Sequence, residues 1–111
     1  MAITQAMTNS FKVDILSGGM NFNTTNRALS SNTQDTFKLA LYTSSASLDA
    51  TTTAYSATNE VASGSGYTTG GNTLTVSQVP TSSGTPTTTA YINFSNTSWS
   101  SASFSADGAL I

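Results

Sequence analysis

Five carboxylates are the side chains of this chain best suited to acid–base work: Asp14, Asp35, Asp49, Glu60 and Asp107. Glycoside hydrolysis needs two of them facing each other across the scissile bond, one giving and one taking a proton. No two stand close in sequence, and each falls among loop or turn residues. The plainer reading is a set of solvated or turn-capping carboxylates. There is no His and no Cys. The commonest general base and metal ligand is therefore missing, and neither thiolate metal sites nor disulfides can form. A serine or cysteine triad has no imidazole to activate its nucleophile. We expect no enzymatic activity, no metal and no cofactor.

The other chemistry-bearing patterns are weaker still. Gly64-x-Gly66 with Gly70-Gly71 resembles a phosphate loop, but a dinucleotide fingerprint reads G-x-G-x-x-G and opens a helix after a strand. Here the second gap is one residue too long, and a strand follows. Backbone geometry is the better account of these glycines. A calcium loop would need clustered carboxylates, and D-x-D-x-D is absent. Lys12, Arg27 and Lys38 are the only basic residues, too few to neutralise a phosphate backbone, so nucleic acid is not an expected partner. No apolar run approaches ~18 residues, so no membrane span is expected. Three N-x-[ST] triplets begin at Asn23, Asn93 and Asn96. In a chain of 19 Ser and 21 Thr, chance produces such matches, and with no signal-peptide pattern visible in Met1–Gln5 glycosylation is not expected.

The elements that must position these residues follow from composition and periodicity. The chain has 111 residues, a net charge of −2 and 7% charged residues. That length fits one domain. Low charge and abundant Ser/Thr could mean disorder, but 37% of residues are hydrophobic and 9% aromatic, which favours a folded, β-rich domain. Met7, Phe11 and Ile15 recur at helical spacing over 7–16, with Thr8, Asn9 or Ser10 to cap it and Gly18-Gly19 to end it; a helix is favoured over the strand that the alternation of Phe11, Val13 and Ile15 also allows. Residues 21–34 carry no period and read as an extended polar loop or arm, anchored by Phe22 and Leu29. Residues 36–43 alternate as a strand, with Phe37, Leu39 and Leu41 on one face and Lys38, Ala40 and Tyr42 on the other. Residues 44–57 read as a loop tethered by Leu48, Ala50 and Tyr55. Strands are expected over 72–79, ended by Pro80, and over 89–94, with a turn over 81–88 between them. Ala109-Leu110-Ile111 begins another apolar segment, and we expect further residues after Ile111 to continue the sheet.

These residues add up to a resemblance. The run Thr36-Phe37-Lys38-Leu39-Ala40-Leu41-Tyr42-Thr43-Ser44 carries part of it. Thr53-Ala54-Tyr55-Ser56 with Asn59-Glu60-Val61 carries another, as do Gly64 to Thr75, Trp99 through Phe104 to Ile111, and the opening around Ser10-Phe11-Lys12. Together they resemble small virion structural proteins of tailed bacteriophages, especially phages of aquatic bacteria. The likeness covers most of the chain outside 21–32 and parts of the loops. It departs at Asp107, where the family often has a basic residue. The resemblance implies a location in the virion after synthesis in the host cytoplasm. It transfers no catalytic residues.

The sequence thus predicts a mostly β domain, a small antiparallel sandwich or barrel with a short N-terminal helix. The expected function is a capsid decoration or cement protein binding the major capsid protein, and itself, in a symmetric array. A neck, tail or fibre-associated role is the alternative. A third class, a module for host-surface glycans, would use Tyr55, Tyr67 and Trp99. Three regions are expected at interfaces: the arm through Phe22, Asn23, Arg27 and Leu29; the loop through Gly66, Tyr67 and Gly70; and the open C-terminal edge Ala109, Leu110 and Ile111.

Overall fold

The computed structural model describes residues 2–23 and 33–111. One helix, α1 (Asn9–Ser17), precedes five strands: β1 (Phe37–Tyr42), β2 (Asn72–Leu74), β3 (Val76–Ser83), β4 (Thr89–Phe94) and β5 (Gly108–Leu110). All strand pairs are antiparallel. They form a three-stranded sheet in the order β2-β1-β5 and a two-stranded sheet of β3 and β4. The mostly β, antiparallel class with one short helix is as expected. The two sheets do not close into a barrel.

α1 begins where the Thr8 hydroxyl accepts the Phe11 N–H at 3.3 Å. It ends at Gly18, whose left-handed φ of 76° turns the chain while the Gly19 N–H caps the Asp14 carbonyl at 2.7 Å. The helical stripe expected of Met7, Phe11 and Ile15 is not a core face. Only Phe11 is half-buried, while Met7, Val13, Ile15 and Leu16 are exposed.

β1 is the centre of the molecule because both of its faces are covered. Ala40 and Tyr42 pack with Ala46, and Ile3, Leu48 and Leu110 close around them. On the other side Phe37 stacks flat on Phe22 at 4.5 Å, and Phe94 leans on Phe37 at 5.6 Å. Simple alternation placed Phe37, Leu39 and Leu41 together. Burial instead falls on Phe37, Ala40 and Tyr42, as a strand enclosed on both faces allows. The 44–57 loop is held at the three expected tethers. Leu48 bridges Ile3, the Ala50 carbonyl accepts the Asn9 N–H at 2.8 Å, and the Tyr55 hydroxyl donates to Glu60.

The expected strand over 72–79 is two strands. β2 pairs with β1 from Leu74 back to Asn72, and after Thr75 the chain leaves that sheet to pair with β4. Pro80 does not end β3. Register shifts on either side of Gln78 place Pro80 in an irregular stretch of the ladder, where its missing N–H costs no regular pairing.

Candidate functional site

Glu60 is the single charged residue between Asp49 and Asp107, and it is only 7% exposed. Backbone pairing carries it there. Residues 59–61 run beside β1, with the Thr43 N–H on the Asn59 carbonyl at 3.0 Å and the Val61 N–H on the Leu41 carbonyl at 2.9 Å. A second segment meets it from the far side. Gly64 and Tyr67 exchange two hydrogen bonds of 2.9 Å, and the intervening Ser65 and Gly66 have φ of 50° and 87°. Two successive positive φ values match a type I′ turn. Ser100, Ser101 and Ala102 pack so closely on Gly66 that a Cβ would sit 2.9 Å from their backbone.

Three donors converge on the carboxylate. Oε1 accepts the Tyr67 hydroxyl at 2.6 Å and the Gly70 N–H at 2.7 Å, and Oε2 accepts the Tyr55 hydroxyl at 2.6 Å. The Tyr67 oxygen in turn accepts the Leu41 N–H at 2.9 Å. Burial alone would raise the Glu60 pKa, but the two tyrosine hydroxyls and the Gly70 N–H outweigh it and hold the carboxyl below its ordinary value. Tyr67 is pushed up to about 12 by burial and by its bond to Glu60. Tyr55 is also pushed up to about 12, chiefly by its bond to Glu60. Tyr42, whose hydroxyl donates to the Ser56 carbonyl at 2.6 Å, is raised by burial and by the nearby negative charge.

Glu60 accepts three hydrogen bonds across its two oxygens, and its proton affinity is lowered rather than raised as a general base's would be, so the geometry is that of a clasp. It ties the 53–60 loop, the Gly64–Gly71 loop and β1 into one unit. Sequence reasoning took Glu60 for a solvated or turn-capping carboxylate, and burial corrects that. Its isolation in an otherwise uncharged stretch was the available signal, since a lone charge among apolar and hydroxyl residues must find donors. Asp49 is a turn cap as expected, accepting the Thr51 N–H and hydroxyl at 2.7 and 2.6 Å, and these bonds lower its pKa. Asp35 accepts the Asn21 N–H at 2.6 Å. Among the described residues no three acidic side chains gather as a metal site would need.

The expected interface residues are scattered. Phe22 is half-buried inside the aromatic stack with Phe11, Phe37 and Phe94. Asn23, also half-buried, gives its N–H to the Asn21 side chain at 3.0 Å. Within this polar arm Asn21 is nevertheless buried, because the Thr33 carbonyl and Asp35 satisfy it. Arg27 and Leu29 lie outside the described residues. Tyr67, expected at a surface loop, is 3% exposed, with Trp99 and Phe104 against its ring at 5.9 and 5.3 Å. That burial removes Tyr67 from a glycan platform, and the Trp99 indole N–H is enclosed without a partner. Gly66 is exposed, and Gly70 is half-buried beside Glu60. Ala109 is exposed and Leu110 half-buried on β5, which among the described strands pairs with β1 alone, and Ile111 beyond it is exposed.

The surface that sequence reasoning missed is the β3–β4 hairpin. Its strand 89–94 was expected, but its separation from the main sheet was not. Residues 61–106 carry no charged side chain, and Thr89, Ala90, Tyr91 and Asn93 are all exposed. Comparison with family models, with curated proteins and with solved structures finds no match to this chain.

Proposed function

We propose that this chain is a non-enzymatic structural protein of a bacteriophage virion, a decoration protein that binds the major capsid protein. Its resemblance to phage virion proteins supplies the setting. The observation that carries the reading is the contrast between a closed body and an unfinished surface. The one buried carboxylate is held by three internal donors, while among the described residues no further strand pairs with the two-stranded hairpin on either edge. A chain of this kind completes its packing on other proteins, as an array component does.

The test is the number of copies per purified particle, by quantitative mass spectrometry. On the order of hundreds of copies supports a lattice-covering decoration protein. About six, twelve or a few dozen moves the protein to a neck, tail or fibre. A chain absent from purified particles overturns the virion reading.

A further inference from the structure

The two outer edges of the hairpin are built differently. β3 carries Pro80, which has no N–H to offer, and two register shifts that break its ladder. The Gln78 side chain also donates to the neighbouring Val79 carbonyl at 3.2 Å. These are the devices by which an edge strand resists pairing. β4 carries neither proline nor bulge, and the side-chain bond its backbone accepts, from the Ser77 hydroxyl to the Asn93 carbonyl at 3.2 Å, comes from β3. The β4 sequence is Thr89-Ala90-Tyr91-Ile92-Asn93-Phe94, without proline, glycine or charge and rich in strand-forming residues. No described strand other than β3 pairs with it.

We infer that the outer edge of β4 pairs with β4 of a second copy of this chain, antiparallel about a two-fold axis at Tyr91. Three observations select this occupant. A lone two-stranded hairpin is marginal in water, and a second hairpin on the β4 side makes a four-stranded sheet while leaving the blunted β3 edges outward. The uncharged stretch 61–106 gives identical edges nothing to repel and a charged partner nothing to recognise. Phe94 is engaged with Phe22 and Phe37, so the strip left for a partner is 89–93, and its centre is Tyr91.

That register is chemically consistent. Tyr91 faces its own copy, an aromatic cross-strand pair. Ala90 faces the partner's Ile92, small against branched, and Thr89 faces the partner's Asn93, hydroxyl against amide. The interface is isologous and closes at two. The C-terminal edge is a weaker candidate, since β5 has only three residues. The pairing does not depend on a virion role and is measured on the isolated chain.

Sedimentation velocity over a concentration series tests it. The wild-type chain is expected to shift from monomer to dimer as concentration rises. Tyr91→Lys and Tyr91→Glu, each placing like charges opposite each other across the axis, are expected to abolish the dimer. An equimolar mixture of the two variants is expected to restore it, which also shows that both remain folded. Ser82→Lys, on β3 directly across from Ala90, is expected to leave the dimer unchanged. A wild-type chain that stays monomeric throughout overturns the proposal. So does a dimer that survives both Tyr91 variants, or one that Ser82→Lys removes as completely.

Discussion

The three-stranded body and the two-stranded hairpin have the same backbone pairing and nearly opposite surroundings. β1 is enclosed on both faces and stitched by side-chain bonds to loops far along the chain, such as the Leu41 N–H to Tyr67. The hairpin spends its strands on each other, and Phe94 is its aromatic link to the body. Hydroxyl-rich, uncharged sequence therefore serves two ends. Inside the body, tyrosine and backbone donors gather around one carboxylate. On the hairpin, the same small polar residues leave a surface that another chain can cover without desolvating charge.

The largest effect is expected at Gly71, where the body admits no side chain. Its φ is +69°, and a Cβ there would lie 2.0 Å from the Leu39 carbonyl oxygen, so Gly71→Ala is expected to cost about 4 kcal/mol of unfolding free energy. Gly84 in the hairpin turn also has a positive φ, of 112°, and a Cβ there would sit 2.8 Å from the Pro86 carbonyl oxygen. Because the exposed tip can open locally, Gly84→Ala is expected to cost about 1 kcal/mol globally. Denaturant titration of both variants decides whether the regions differ as described.

Next in size is Glu60→Ala, which strands the Tyr67 hydroxyl and the Gly70 N–H and is expected to cost about 3 kcal/mol. Glu60→Gln keeps one acceptor oxygen and is expected to lose about half of that. The same clasp sets the pH dependence. The Glu60 pKa is lowered on folding, so its contribution is present above the ordinary carboxylate range and is lost as pH falls through and below it. Tyr55 and Tyr67 are raised to about 12, so their contribution is present below about pH 10, the ordinary tyrosine value, and is lost as pH rises toward 12. Thermal melts across both windows should fall off at each end, and Glu60→Gln should flatten the acid limb.

Phe94→Ala separates the two regions rather than damaging either. It is expected to cost about 2 kcal/mol, less than a fully buried phenylalanine. Hydrogen exchange should then show β4 amides losing protection while β1 amides keep theirs. The smallest effect is expected from Ser82→Ala on the exposed hairpin, within about 0.5 kcal/mol of wild type in the same titration.

Much of the strand content was legible beforehand. β4 spans the residues its alternation predicts, and β1 differs by one residue at each end. The α1 caps at Thr8 and Gly18 were readable because capping is local, settled by side chains within three or four residues of the backbone they bind. The candidate site was less legible. Tyr67 looks like the apex of a glycine loop until Trp99 and Phe104 cover it, and those rings arrive from 32 and 37 residues further along the chain.

By itself, the sequence determined the chemistry on offer: no imidazole, no thiol, five carboxylates and an uncharged stretch from 61 to 106. It also determined the local pieces, because turns, caps and alternation depend on neighbours in the chain. Long-range packing buries Glu60, keeps Pro80 within a strand and divides 72–83 between two sheets. Each of those outcomes depends on which distant backbone arrives to donate a hydrogen bond or exclude water, and one chain's periodicity carries no record of that.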